Sequence, residues 1–159
     1  MAEDLITESG SKEAKYKRLL PQLKALCEGE TNRIANMANI TAALKETFGY
    51  FWIGFYLIKQ NELVLGPFQG SIACTRIQKG KGVCGTAWEK KEALVISNVD
   101  EFPSYIACSS LSKSEIVIPL LQNNEVIGIL DVDHDEFDTF DTIDKNYLTE
   151  LCTWLALII

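Results

Sequence analysis

The sequence predicts an α+β domain with a mostly antiparallel central sheet and N- and C-terminal helices packed on it. Three observations carry that expectation. Apolar residues recur at spacings of three and four near both ends of the chain, two pairs of β-rich runs each meet at a short polar turn, and the elements follow one another as helices, hairpin, long irregular segment, hairpin, helix.

Residues 1–12 are polar and carry Gly10, so they are expected to form a flexible lead-in to a single domain over residues 13–159. A first helix is predicted over residues 15–26, with Tyr16, Leu19, Leu20, Leu23 and Leu26 on its apolar face and Pro21 marking a break or start nearby. A second is predicted over 31–48 with a stripe of Ile34, Met37, Ala38, Thr41, Leu44 and Phe48, stopped by Gly49. Residues 51–59 are apolar on both alternating faces, as a buried central strand requires. Gln60-Asn61 turns the chain into a return strand over 62–68 that ends near Gly66-Pro67. Residues 93–97 and 115–121 read as strands, and Asn123-Asn124 joins the latter to 126–132 in a second hairpin. A last helix follows Asp141, its expected N-cap, with Ile143, Tyr147, Leu148, Leu151, Cys152, Leu155 and Ile158 on one face. The segment 70–114 is loop-rich and too long for a mere connection, which directs attention to it as a carrier of function.

Composition narrows the classes of function. The 159 residues are 47% hydrophobic and 23% charged, ordinary for a globular chain, and no apolar run reaches the length of a membrane span. A net charge of −7 disfavours a nucleic-acid partner, which would call for clustered Lys and Arg. The acidic start lacks the features of a secretory signal, so a cytoplasmic location is expected. Five cysteines in such a reducing compartment suggest catalytic, redox-sensing or buried thiols rather than a disulfide framework, and an odd number cannot all pair internally.

Cys152 falls on the apolar face of the last helix and Cys27 at the end of the first, both positions for buried structural thiols. Cys74, Cys84 and Cys108 stand instead beside Gly, Ser, Thr and Pro, where mobile loops can bring an attacking and a resolving sulfur together. Zinc is not expected, because there is no Cys-x-x-Cys pair and the sole histidine, His134, lies in an acidic turn. Gly80-Lys81-Gly82 and Gly85 lack the full phosphate-loop pattern and read as hinges near Cys84. Asp131 and Asp133 flank Val132 and so point to one face of their strand. If that strand pairs with the one opened by Glu115, the three carboxylates make an anionic corner able to bind an ammonium group or share a proton; the alternative is a solvated strand end. Trp52, Gly54 and Tyr56 share a face, with a gap at Gly54 open to a ligand, although core packing explains the aromatics equally well.

The blocks Trp52-Ile-Gly-Phe-Tyr56, Leu65-Gly-Pro-Phe-Gln-Gly70, Gly80-Lys-Gly-Val-Cys-Gly-Thr86, Ile106-Ala-Cys108, Ser114-Glu-Ile-Val117 and Leu130-Asp-Val-Asp133 resemble those of the GAF-domain free methionine-(R)-sulfoxide reductases, from about Gly29 onward. The resemblance implies a GAF-like fold for residues 13–159 and reduction of free L-methionine-(R)-sulfoxide to L-methionine. It implies Cys108 as the nucleophile that becomes a sulfenic acid, Cys74 as the thiol that resolves it to a disulfide, and Cys84 as a further resolving or relay thiol. It further implies Glu115, Asp131 and Asp133 as the carboxylates that bind substrate and Trp52 and Tyr56 as an aromatic wall around its methyl-sulfur end. No bound cofactor or metal is implied; thioredoxin is the external reductant. Homodimerisation is common in proteins of this fold, and the sequence leaves it open.

Two departures stand out. The family has Pro-Gly-His before Ile-Ala-Cys and commonly Asp after it, where this chain has Pro103-Ser104-Tyr105 and Ser109. Both changes bear on how the Cys108 thiolate is stabilised and how its loop closes. The alternative readings are a non-enzymatic GAF sensor of a small molecule or of oxidant, and a redox-inert structural module.

Overall fold

A computed structural model describes residues 4–6 and 9–159. Helix α1 (Lys12–Leu26) starts three residues earlier than its apolar spacing predicts, because Ser11 caps it by accepting a hydrogen bond from Ala14 N at 3.2 Å. Pro21 lies inside α1 and does not break it. The expected lead-in over 1–12 falls partly outside the described residues; Ile6 within it donates its amide to Gln22 Oε1 of α1. Helix α2 (Arg33–Phe48) is capped by Asn32, whose Oδ1 accepts from the amides of Ile34 and Ala35, and it stops at Gly49 with φ of 71°. Ile34 does not join its buried stripe: it is exposed in the first turn, and Asn36 is buried instead, with its side-chain amide donating to the Glu30 carbonyl.

Strands β1 (Trp52–Lys59) and β2 (Glu62–Gln69) form the first hairpin. Gln60 and Asn61 both take positive φ, the tight turn whose twist suits two antiparallel strands. β2 spans the expected 62–68 and one residue more, passing through Gly66-Pro67. The register shifts between Gly54 and Tyr56, so the strand bulges there and runs on to Gln69. The bulge lies beyond the reach of β3 (Arg76–Ile77), which pairs only with Leu63 and Val64, so Pro67 interrupts no ladder on that side. Strands β5 (Ser114–Gln122) and β6 (Glu125–His134) form the second hairpin through Asn123 and Asn124, again with positive φ. With β4 (Leu94–Ile96) they complete, among the described residues, one antiparallel six-stranded sheet in the order β3-β2-β1-β6-β5-β4.

The sheet separates two apolar layers. Ile53, Phe55, Leu57, Ile116, Ile118, Leu130 and Val132 point to the face covered by α1, α2 and the last helix, α4 (Thr142–Ile158). Asp141 and Asp144 close a capping box at the start of α4. Asp144 is also buried against α1, accepting from the Tyr16 hydroxyl at 2.8 Å and pairing with Lys12. Cys27 and Cys152 are buried in this layer, as expected of structural thiols. No helix among the described residues is long and apolar enough to cross a membrane.

The opposite face carries Trp52, Tyr56, Val117 and Ile129, and its cover corrects the sequence reading most. Residues 70–114 are not simply loop: besides β3, β4 and a short 3-10 turn at Val99–Glu101 they hold helix α3 (Gly82–Lys90). Val83, Cys84, Ala87 and Trp88 of α3 pack onto this face. Gly85, expected as a hinge, is instead a point of close approach: a Cβ there would run into the carbonyl oxygen of Gln78.

Candidate active site

Strand register brings the predicted side chains together. In the ladder Trp52 lies opposite Asp133, Gly54 opposite Asp131, and Asp133 in turn opposite Glu115 of β5. Alternation then sends Trp52, Tyr56, Glu115, Asp131 and Asp133 to the same face, beneath α3 and the loops. These five residues line one cleft together with Cys84, Cys108, Tyr105, Ser109 and Ser112. The cleft holds about 490 Å³ of empty space counted out into open solvent.

A disulfide joins Cys74 to Cys108 at the rim, with Cα atoms 5.3 Å apart across a separation of 34 residues. Cys84 is the third thiol of the predicted set and stays free. It does not lie in a mobile loop: it is buried in the first turn of α3, where its Sγ is 3.6 Å from Glu115 Oε1. His134 closes β6 rather than occupying a free turn, and its Nδ1 accepts from the Glu136 amide at 3.3 Å.

The carboxylates are not a solvated strand end. Glu115 and Asp131 are 5% and 6% exposed, and burying charge that deeply without a cation costs enough to hold protons on the cluster. Burial, then the charges of Asp131 and Asp133, push the Glu115 carboxyl well above the usual range. Asp133 moves the same way through burial and the Asp131 charge, while its bond to Ser112 opposes the shift. Burial lifts Asp131 to about 6, held back by the nearby side chains of Cys84 and Glu115. Glu115 therefore holds its proton more tightly than Asp131. Burial and the neighbouring carboxylates likewise keep Cys84 a thiol, well above the ordinary cysteine value.

The aromatic wall has a second task that sequence alone did not reveal. The Trp52 indole donates through Nε1 to the Ser71 carbonyl at 3.0 Å, and the Tyr56 hydroxyl donates to the Cys74 carbonyl at 2.9 Å. Both bonds tie the Cys74 loop to β1. The expected gap at Gly54 is closed, because the Trp52 ring lies over it and stacks on Phe68 with centroids 5.5 Å apart. Glycine is required there to admit the indole, not a ligand: a Cβ would collide with that ring and lie 2.6 Å from Phe68 Cβ. Ser112 was also missed. It is buried and lines the cleft with Asp133 and Tyr105, and a lone serine before a strand carries no sequence signal of that place.

The GAF domain family model matches residues 35–159. The free methionine-R-sulfoxide reductase of Escherichia coli is 43% identical over 145 residues, covering 91% of this chain and 88% of that protein. The chain belongs to the GAF-domain free methionine-(R)-sulfoxide reductase family. The crystal structure of the free methionine-R-sulfoxide reductase from Neisseria meningitidis in complex with its substrate superposes with a TM-score of 0.95 at 49% identity, over 97% of this chain and 93% of that one. A Dictyostelium discoideum protein named GAF domain-containing protein A is 60% identical, with 95% of this chain and 96% of that protein covered.

Proposed function

We propose that this protein is an oxidoreductase that reduces free L-methionine-(R)-sulfoxide to L-methionine, with thioredoxin in the cytoplasm as the dithiol that restores it. The observation that carries the reading is the buried corner of Glu115, Asp131 and Asp133 in the same cleft as Cys108, which is already bonded to Cys74. The relatives named for this activity support the choice of substrate.

In this reading the substrate ammonium enters the anionic corner and supplies the positive charge that the carboxylates lack. Its methyl-sulfur end lies against Trp52 and Tyr56, whose rings sit 6.2 Å apart. The Cys108 thiolate attacks the sulfoxide sulfur, and the neutral carboxyl of Glu115 donates a proton to the sulfoxide oxygen. Oxygen passes to Cys108 as a sulfenic acid while the substrate sulfur gains two electrons and leaves as a thioether. Cys74 then attacks the Cys108 sulfur, expels water and forms the disulfide. A dithiol of the thioredoxin class reduces that bond and becomes a disulfide itself. Cys84 needs no thiolate here: as a protonated donor it orients Glu115. The cycle calls on no bound cofactor.

The test uses the reduced full chain with separate epimers of free methionine sulfoxide, thioredoxin, thioredoxin reductase and NADPH. NADPH consumption with the R epimer alone is expected. Cys108→Ser should abolish it, and Cys74→Ser should release at most about one methionine per chain before stalling. Full multiple turnover by Cys108→Ser would remove that residue from the nucleophile's place.

A further inference from the structure

A thiol and two carboxylates from three separate elements meet at the floor of the cleft. Cys84 of α3, Glu115 of β5 and Asp131 of β6 each offer a ligand atom, and the three atoms lie within 4.8 Å of one another. All three residues are at least nine-tenths buried, yet all three line the cleft, so the cluster is reached from one side only. Asp131 Oδ1 is buried with no hydrogen-bond partner, an acceptor for which the protein supplies no donor. Sequence spacing set zinc aside because it offered no Cys-x-x-Cys pair; here the donors converge through the sheet register and the docking of α3.

We propose that this corner is a binding site for a zinc ion, held by Cys84 Sγ, a Glu115 oxygen and an Asp131 oxygen with its fourth position turned to the cleft. Three protein ligands and one open position are the arrangement of zinc sites that admit an outside ligand, as opposed to the closed four-ligand shell of structural ones. A sulfur donor suits zinc and disfavours calcium and magnesium, which take all-oxygen shells of six or more. The ion occupies the volume that the proposed substrate's ammonium and sulfoxide would fill, so zinc is a reversible inhibitor that competes with substrate. Only that competition rests on the function proposed above; the metal site itself does not.

The Cys74–Cys108 disulfide makes the site separable from the redox thiols, because Cys84 stays free when the other two are joined. The remaining thiols, Cys27 and Cys152, are buried in the layer on the other side of the sheet. Oxidised full chain is titrated with zinc chloride by calorimetry and with cobalt chloride by absorption. One ion per chain is expected, with a thiolate-to-cobalt charge-transfer band. Cys84→Ala should remove the band and weaken binding by about tenfold or more, whereas His134→Ala, which removes the surface imidazole beside Asp135, should change neither. Binding that survives Cys84→Ala and is lost in His134→Ala overturns the site, as does the absence of stoichiometric binding. In the reduced chain, zinc should raise KM for methionine sulfoxide and leave kcat unchanged; Cys84-dependent binding with an unchanged KM overturns the competition. Cys84-dependent binding in a chain without reductase activity would uphold the metal site and sink the enzymatic reading alone.

Discussion

The hydroxyl of Tyr56 donates to the carbonyl oxygen of Cys74 at 2.9 Å, linking a rigid central strand to the loop that carries one half of the disulfide. Trp52, four residues back on the same face, holds Ser71 of the same loop. The residues expected to wall a substrate therefore also set where the Cys74 sulfur can reach.

Removing that hydroxyl tests the coupling. Tyr56→Phe keeps the ring and loses one hydrogen bond, a stabilisation of about 1 kcal/mol. Disulfide formation after mixing reduced protein with one equivalent of sulfoxide should slow several-fold, while methionine release in the first turnover is little changed. Equal loss in both phases would assign Tyr56 to substrate contact instead.

Glu115→Gln preserves shape and removes the acid. Turnover should fall by about 100-fold or more, the usual worth of a positioned proton donor. Wild-type kcat/KM is expected to climb as pH rises through about 6, where Asp131 ionises and can hold the ammonium, and to decline once the corner loses its remaining proton. In Glu115→Gln the alkaline decline should vanish, and a variant that retains both limbs would exclude Glu115 as the donor.

The same burial fixes how stability responds to pH. The Asp131 carboxyl sits at about 6 in the folded chain against an ordinary 3.8, so between those values the folded state holds a proton that the unfolded state releases. Its contribution is lost as pH rises through that window and stays lost above it, at about 1.4 kcal/mol per unit of displacement. Thermal unfolding should show Tm falling across this range in the substrate-free protein. Asp131→Asn should raise Tm near neutral pH and flatten the slope; a Tm in the variant no higher than in the wild type would argue that the aspartate is not strained by its setting.

Gly85→Ala places a methyl group against the Gln78 carbonyl and forces α3 away from β3. A loss of about 1–3 kcal/mol is expected in chemical unfolding, the range for overpacking. Since α3 carries Cys84, the variant should also weaken the Cys84 to Glu115 contact, read as faster alkylation of Cys84 in oxidised protein.

How much of this was legible in the sequence depended on whether neighbours or distant segments decide a residue's setting. Both hairpins were legible because Gln60-Asn61 and Asn123-Asn124 are turn residues between β-rich runs, and their pairing alone predicts that Glu115 meets Asp131 and Asp133. Helix α3 was hidden because Gly80, Gly82 and Gly85 are local breakers, and the demand for glycine at Gly85 comes from Gln78, outside the helix itself. Gly54 misled for the same reason: Phe68 on the neighbouring strand, together with the indole of Trp52, fills the space that the bare sequence leaves open.

The bond from Tyr16 to Asp144 joins residues 128 apart, the first helix to the last. A chain emerging from the ribosome has made every strand and α3 before Asp144 exists, so α1 waits through nearly the whole of synthesis for the partner that seats it. The part of the layer that α4 covers, over β5, is sealed last, and until then Ile116 and Ile118 stay open to water.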